Sequence, residues 1–423
     1  MADHSDDGGA FSVIERVAYL SMHTSPMLQP GVGDAGGLNV YVDELARTMA
    51  KRSVHVNVYT RRTDPTQPDH VQVAERYRVH HIQAGPPQPV PSAELPKWIG
   101  LFAEGVIRDL RASPPTDVVH SHYWVSGWAG VLAKEALQIP LANSFHTLGR
   151  IKDISRRSDE PLSSPMRTLT EEEVIARSDC VIASTPYEFD DLLDHYAASP
   201  ERLCTSPPGI DHSIFKPGDR EAARAWMGLP PGPIVLFAGR IQALKGIDVA
   251  IGALARMDQP AQLAIVGGPS GRAGEAEVEH LLALADGLGV ASRVHLIAPQ
   301  PHAQLAMFYQ AADVLIMPSR SETFGLVAAE AQACGLPVVA SRIGGIPYVV
   351  NDDESGILVD VGDEPGFAAA LDRVVGDSDL RSAMSAAAEI KSGEFNWKTT
   401  ADRLLELYHG ITGDNGHPPV VQQ

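Results

Sequence analysis

The chain has 423 residues. A single hydrophobic core does not ordinarily organise a chain of this length, so the length predicts two domains. Its composition, 44% hydrophobic and 21% charged, is globular, and a formal charge of −19 argues against a nucleic-acid partner because phosphate backbones select basic surfaces. No apolar run is long enough to cross a bilayer, and the acidic start lacks the pattern of a signal peptide.

Apolar strands alternate with amphipathic helices along the first half of the chain. The predicted strands are RVAYLS, VHVNVYT, YRVHHI, DVVHSH, PLANSF and CVIAST, and helical patterns such as NVYVDELARTMAKR, LPKWIGLFAEGVIRDL and SGWAGVLAKEAL lie between several of them. Val- and Ile-rich strands that alternate with helices are typical of parallel sheets covered on both faces. Residues 1–206 are therefore predicted to form a doubly wound, Rossmann-like domain.

A glycine-rich loop separates the first strand from the first helix. It begins HTSPMLQPGVGDAGG, and Gly36 and Gly37 directly precede the helical pattern. Glycines let a backbone approach a ligand closely, and the N-terminus of a helix points free N–H groups at an anion. The loop is not the GxGxxG fingerprint, so by itself it predicts either a phosphate-binding turn or only a tight turn.

The strand–helix alternation restarts after a Pro- and Gly-rich segment, 207–217, which is the predicted hinge. The strands PIVLFAGR, QLAIVGG, RVHLIA, DVLIMPS, PVVAS and GILVD predict a second Rossmann-like domain over 218–395. A helix over 396–412 is expected to pack back toward the first domain, and the tail 413–423 is expected to be disordered. Two doubly wound domains place a ligand in the cleft between them, at the carboxyl ends of the strands.

Four charged residues of the second half have the chemistry of an anion and sugar site. Arg240 ends a strand and Lys245 follows before a helix, a pair that suits a departing diphosphate but also describes two solvated surface cations. Glu322 lies in a strand-to-helix loop, and Glu330 lies on the helix predicted over 325–335. A carboxylate at that position needs a partner, which sugar hydroxyls or a nearby cation would supply.

The order Arg240, Lys245, Glu322 and Glu330, followed by GLPVVAS, resembles the donor-site signature of retaining family-4 glycosyltransferases of GT-B fold. The resemblance implies that Arg240 and Lys245 hold the diphosphate of a nucleotide sugar. It further implies that Glu322 contacts the transferred sugar and that Glu330 binds the ribose hydroxyls. The positions it assigns to the nucleotide base and sugar are Gly267, Gly268, Gly271 and Gln300.

The first half resembles the D-inositol-3-phosphate glycosyltransferases of the mycothiol pathway in HTSPMLQPGVGDAGGLNVY, HSHYWVSG and FHTLGRIKD, and the likeness runs from about residue 16 to about residue 410. This family moves N-acetylglucosamine from UDP to 1D-myo-inositol 3-phosphate. The resemblance implies a UDP-sugar co-substrate, no cofactor for the chemistry, an open question over Mg²⁺, and a possible homodimer. The implied donor contacts are His23, Gln29, Pro30 and Gly37. The implied acceptor contacts are Asp34, Ala35, Gly36, Asn39, Tyr123, Thr147 and Arg167, with His146 at a strand end beside the reacting substrate.

One position departs from this family. A phosphate-binding lysine precedes its Glu-Leu-Pro, whereas this chain reads SAELP with Ser92 at that place. A charge-assisted hydrogen bond of this kind contributes about 1.5–3 kcal/mol. Lys97 is near in sequence but falls on the following helix. An unphosphorylated cyclitol or an aminocyclitol such as 2-deoxystreptamine therefore stays open as the acceptor.

Other features of the sequence give weaker support for a function. Five histidines (His80, His81, His120, His122 and His146) suggest a metal site, but their spacing matches no recognised ligand set. The run 171–173, three glutamates, is predicted to be the solvated face of the helix that presents Arg167. Three isolated cysteines predict buried thiols and a cytoplasmic protein. The competing functions are a UDP-sugar epimerase, a non-catalytic nucleotide-sugar sensor, and a sucrose-phosphate-synthase-like transferase.

Overall fold

The computed structural model describes residues 13–31, 33–156, 161–271 and 274–413. The tail predicted to be disordered lies outside these residues, apart from Gly413. Two sheets organise the described chain, one of eight strands and one of six. The predicted fold class, two doubly wound α/β domains, is confirmed.

The first sheet is built from β1 to β8 in the order β3-β4-β2-β1-β5-β6-β7-β8. Its strands are β1 (Arg16–Leu20), β2 (His55–Arg61), β3 (His70–Ala74), β4 (Tyr77–Ile82), β5 (Val118–His122), β6 (Leu141–Ser144), β7 (Cys180–Ala183) and β8 (Leu203–Thr205). Its helices are α1 (Gly37–Lys51), α2 (Ile99–Ala112), α3 (Trp124–Leu137), α4 (Gly149–Ser155), α5 (Pro165–Arg177) and α6 (Pro186–Tyr196).

The second sheet contains β9 to β14 in the order β11-β10-β9-β12-β13-β14. Its strands are β9 (Ile234–Ala238), β10 (Gln262–Val266), β11 (Val294–Ile297), β12 (Val314–Met317), β13 (Val338–Ser341) and β14 (Gly356–Val359). Its helices are α7 (Arg220–Met227), α8 (Ile247–Arg256), α9 (Glu275–Gly287), α10 (His302–Ala311), α11 (Leu326–Ala333), α12 (Ile346–Val349), α13 (Glu364–Gly376) and α14 (Ser378–Ser392).

Strand order explains where the site forms. All pairs in the two sheets are parallel except β3 with β4, so the carboxyl ends of the strands share one edge in each sheet. In each sheet the order reverses at a central strand, β1 between β2 and β5, and β9 between β10 and β12. Chains leaving such neighbouring strands diverge and open a crevice. The loop after β1 and the turns after β9 and β12 therefore face the cleft.

The last helix, α15 (Trp397–Thr412), returns to the first domain. Its Trp397 ring meets the ring of Tyr41 on α1, with centroids 5.5 Å apart. The hydroxyl of Tyr408 lies 2.7 Å from Nδ1 of His120 on β5. A helix that follows the second domain in sequence thus completes the hydrophobic core of the first.

The sequence patterns missed two strands and misplaced one helix start. β3 is an antiparallel edge strand with mixed exposure, and β8 has three residues, so neither shows a long apolar run. The segment Ser92–Trp98 is a 3-10 helix and α2 begins only at Ile99. Pro96 explains this start, because it has no N–H for an α-helical bond. Among the described residues, no helix combines the length and apolarity of a membrane span.

Candidate active site

The glycine-rich loop after β1 is held in shape by Asn39. Its Oδ1 accepts from the Gly36 amide at 2.9 Å, and its Nδ2 donates to Thr24 Oγ1 at 2.8 Å and to the Ser25 carbonyl. The side chain is 1% exposed. The Asn39 amide, a predicted acceptor contact, is thus engaged inside the loop and holds the path of the loop backbone.

The glycines let the second domain approach the loop. A Cβ on Gly36 would lie 3.2 Å from Nε of Arg240, and one on Gly37 would lie 3.3 Å from Cδ1 of Leu326. Earlier in the loop, a Cβ on Gly31 would lie 3.2 Å from that of Pro299. The loop is therefore tight because side chains of the other domain occupy the space that larger residues would need.

Loop residues assigned to the donor also meet the second domain. Gln29 donates from Nε2 to the carbonyl of Pro299 at 3.2 Å. Pro30 directly precedes Gly31, whose backbone approaches Pro299. Ala35, assigned to the acceptor, is 1% exposed. These contacts place the donor-assigned part of the loop against the turn that follows β11.

Arg240 and Lys245 are not a solvated pair on an open surface. Lys245 Nζ lies 2.5 Å from Oε2 of Glu322, and their side chains are 23% and 18% exposed. Burial lowers the pKa of Arg240, an effect that the negative charges of Asp34 and Glu322 oppose. An Nη1 of Arg240 reaches 3.5 Å from the Asp34 carbonyl across the cleft. The three predicted donor residues and the predicted acceptor loop thus meet at one point.

Glu330 is buried, at 5% exposure, on α11. The partner that the sequence left open is Tyr309, whose hydroxyl donates to Oε2 of Glu330 at 3.1 Å. Burial raises the pKa of Glu330 to about 8. The carboxylate also lines a cavity of about 210 Å³ between α1 and the second domain, together with His302 and Phe215.

The raised pKa of Glu330 predicts that the free energy of unfolding depends on pH. The pKa of Glu330 rises from 4.5 to about 8 on folding, so between these pH values the folded chain holds a proton that the unfolded chain has lost. The stabilising contribution is complete below the unfolded pKa and is lost as pH rises through the folded one. We expect E330Q to gain stability relative to the wild type as pH rises from about 4.5 to 8, at up to about 1.4 kcal/mol per pH unit, and the difference to level off above pH 8.

Urea unfolding of both proteins at several pH values measures this difference. Glu44 and Glu188 also have pKa values raised to about 7 by burial, but they are present in both proteins and cancel in the comparison. Parallel stability curves for E330Q and the wild type would contradict the prediction.

Tyr123, Thr147 and Arg167, predicted to bind the acceptor, form one cluster. Arg167 Nη2 donates to Thr147 at its carbonyl (3.0 Å) and its hydroxyl (3.2 Å). The guanidinium carbon lies 5.2 Å from the centre of the Tyr123 ring. The His23 ring packs on Tyr123 with centroids 5.0 Å apart. Burial lowers the pKa of His23 to about 4; the charge of Asp34 opposes this shift, and the charges of Arg240 and Arg167 add to it.

The prediction that residues 171–173 form a solvated face is wrong for Glu171. This side chain is fully buried and pairs with Arg167, its neighbour one helical turn earlier. The spacing of four residues between an Arg and a Glu on a helix was the signal available in the sequence. No sequence signal pointed to Tyr196, whose hydroxyl also contacts Glu171.

His146 lies at the cleft with a left-handed backbone, at φ 60°. Its carbonyl accepts from the Thr323 hydroxyl of the second domain at 2.7 Å, a contact that the sequence did not indicate. Its Nε2 lies 3.1 Å from Nδ1 of His122. Burial lowers the pKa of His146 to about 4, so the ring is neutral at pH 7. In the part of the chain that the structure describes, no three His, Cys, Asp or Glu residues cluster as metal ligands.

A second cavity, of about 330 Å³, lies between the two domains beside this point. Thr147 and Leu148 line it from the first domain, and Ser321 to Thr323 line it from the second. The cavity joins the predicted acceptor cluster to Glu322.

The predicted nucleotide contacts have separate structural roles. A Cβ on Gly267 would lie 1.8 Å from the carbonyl of Gly239, so two turns of the second domain pack backbone to backbone there. A Cβ on Gly268 would lie 2.8 Å from the Gly31 carbonyl. Gln300 donates to the Ala298 carbonyl at 2.9 Å within its own turn. Gly271 has a left-handed backbone, at φ 77°.

Two family models match the chain, and together they cover both domains. Residues 35–214 match the model described as Glycosyltransferase Family 4. Residues 219–391 match the model described as Glycosyl transferases group 1. The boundary between the two matches falls in the segment that links the sheets.

Curated relatives align with nearly the whole chain. The D-inositol 3-phosphate glycosyltransferase of Stackebrandtia nassauensis is 43% identical over 403 residues, 93% of this chain and 91% of the relative. D-inositol 3-phosphate glycosyltransferase 1 of Catenulispora acidiphila is 42% identical over 416 residues, 96% of this chain and 99% of the relative.

Solved structures share the fold. The sucrose-phosphate synthase of Thermosynechococcus elongatus superposes with a TM-score of 0.89 at 31% identity, covering 94% of this chain and 99% of its own. HepE of Anabaena, in complex with UDP and glucose, has a TM-score of 0.74 at 19% identity, covering 92% and 98%, and supports the fold alone. The GT-B fold is thereby established for this chain.

Proposed function

The chain belongs to the glycosyltransferase family that includes the D-inositol 3-phosphate glycosyltransferases, and we propose that it transfers N-acetylglucosamine from a UDP-sugar to a cyclitol such as 1D-myo-inositol 3-phosphate. The observation that carries the proposal is the meeting of two clusters across the cleft. Arg240, Lys245 and Glu322 lie opposite the Asp34–Gly36 loop. Thr147, which is bonded to Arg167, lines the same cavity as Glu322.

In the proposed mechanism an acceptor hydroxyl attacks the anomeric carbon from the side that the nucleotide leaves. The bond from that carbon to the β-phosphate oxygen breaks as the new glycosidic bond forms, with retention of configuration. The departing phosphate oxygen takes the proton of the hydroxyl, so the reaction needs no side-chain base. Arg240 and Lys245 stabilise the charge that develops on the diphosphate.

A second acceptor class is favoured by Ser92. This residue is exposed at the start of the 3-10 helix, where the family resemblance implies a phosphate-binding lysine. The expectation that Lys97 falls on the following helix is wrong, because it lies on the same 3-10 helix as Ser92, where its side chain is 64% exposed and its Nζ lies 3.4 Å from Glu94. An unphosphorylated cyclitol or an aminocyclitol fits this reduced positive charge. The three cysteines of the described chain are buried and form no disulfide, although the Cys180 and Cys204 sulfurs lie 2.7 Å apart, and buried thiols of this kind fit a cytoplasmic location.

A matrix of donors and acceptors, read by mass spectrometry, tests the proposal. UDP-N-acetylglucosamine and UDP-glucose are each incubated alone and with inositol 3-phosphate, free inositol, 2-deoxystreptamine or fructose 6-phosphate. We expect a cyclitol whose mass increases by one N-acetylglucosaminyl residue. Conversion of the donor alone into an isomer would indicate an epimerase. A product formed only with fructose 6-phosphate would indicate a sucrose-phosphate-synthase-like enzyme. Binding of the UDP-sugar without any product would indicate a sensor.

A further inference from the structure

Arg167 is held by a buried carboxylate, and we propose that Glu171 is the positioning residue that orients its guanidinium toward the acceptor. The proposal rests on the proposed function, which assigns Arg167 to the acceptor. It adds a residue that touches neither substrate and acts through Arg167.

Glu171 is surrounded by hydrogen-bond donors from three segments. The Gly149 amide donates to Oε1 at 3.1 Å and to Oε2 at 3.0 Å. Arg167 Nε donates to Oε1 at 2.8 Å, and the Tyr196 hydroxyl donates to Oε2. A carboxylate at 0% exposure is stable only when its oxygens are satisfied in this way. The carboxylate therefore has one position, set by α4, α5 and α6 together.

That position fixes the guanidinium plane. Nε is bound to Glu171, and Nη2 is bound to both oxygens of Thr147 at 3.0 and 3.2 Å. With two of its three nitrogens fixed, the planar group cannot rotate, and it lies against the Tyr123 ring. Within the described residues, Nη1 makes no hydrogen bond, so it is the nitrogen that remains for an acceptor oxygen.

The surroundings leave no alternative placement for the pair. A Cβ on Gly149 would lie 3.0 Å from Oε2 of Glu171 and 3.2 Å from Nε of Arg167, so the backbone closes on both side chains. The Tyr196 hydroxyl is itself fixed, because it accepts from the Arg150 amide at 3.0 Å. A buried ion pair contributes little to stability compared with apolar residues of the same shape. The contacts are thus better explained by orientation than by stability.

The test compares E171M, R167M and the double variant E171M/R167M in steady-state kinetics with the acceptor that the matrix identifies. We expect E171M to raise the acceptor KM about tenfold or more, the scale of one hydrogen bond to a charged group, while the donor KM and the slow hydrolysis of donor alone stay unchanged. Because Glu171 acts through Arg167, the double variant should have an acceptor KM within about twofold of R167M alone.

Geometry and charge are separated by two conservative variants. E171Q keeps a carbonyl oxygen that can accept from both Gly149 and Arg167, so we expect it to retain most of the acceptor affinity. E171D keeps the charge but withdraws it by one methylene, so we expect its acceptor KM to rise. This pair also carries the test if E171M does not fold. E172Q is the matched control on the same helix, since Glu172 pairs with Arg150 near the surface.

Three outcomes would overturn the assignment of Glu171: additive effects in the double variant, an E171M acceptor KM within twofold of the wild type, or a larger loss for E171Q than for E171D. Failure of the proposed function has a different signature, because R167M itself would then leave the acceptor KM unchanged.

Discussion

R240A is expected to lower kcat by about 10²–10³-fold, the usual effect of removing one group that stabilises developing charge in a transition state. Arg240 follows β9 at the cleft and is the cation that contacts the loop of the opposite domain. Its partial burial strengthens its interaction with a diphosphate, because little water screens the charge. The interaction tightens as the glycosidic bond breaks, so kcat should fall more than the donor KM rises.

Steady-state kinetics with the donor varied, together with a thermal unfolding curve, measure this effect. R256A is the matched control, because Arg256 lies in the same domain on α8 and its side chain is 46% exposed beside Glu364. We expect R256A to keep its kcat and both variants to keep the wild-type fold. A raised donor KM with an unchanged kcat would mean that Arg240 contributes only to ground-state binding, and would contradict its proposed role.

The fold could be predicted because its signal is local. Strands such as Ile234–Ala238 and Val338–Ser341 are buried on both faces, and their continuous apolar runs are visible in the sequence. The edge strand His70–Ala74 lacks such a run, because one side of an edge strand faces solvent. The start predicted for α2 is too early for a local reason as well, because Pro96 lacks the N–H of an α-helical hydrogen bond and the preceding turn is a 3-10 helix.

The candidate site was predictable only where residues follow strands of known order. Arg240, Lys245 and Glu322 follow the carboxyl ends of β9 and β12, and neighbouring parallel strands bring such residues together. Contacts across the cleft have no such rule, because they depend on how two domains close. Thr323 with the His146 carbonyl, and Gln29 with Pro299, are contacts of this kind.

Ser92 gives the second large prediction, a gain of function. We expect S92K to raise kcat/KM for inositol 3-phosphate by about 10- to 100-fold, since a hydrogen bond to a charged group contributes about 1.5–3 kcal/mol and 1.4 kcal/mol is a factor of ten. The effect should reside in the acceptor KM, and free inositol should be turned over as before. Ser92 is exposed on the segment that follows the carboxyl end of β4, so the substitution costs little stability.

A93K separates a specific contact from a general increase in charge. Ala93 is exposed and adjacent to Ser92, so a lysine there adds the same charge with its side chain in a different direction. A long-range field acts on both variants alike and weakens with added salt, whereas a direct contact with phosphate distinguishes them and resists salt. Equal gains from S92K and A93K, or no gain from either, would contradict a phosphate contact at residue 92. If the wild-type enzyme prefers free inositol and S92K prefers inositol 3-phosphate, then residue 92 alone decides whether the preferred acceptor carries a phosphate.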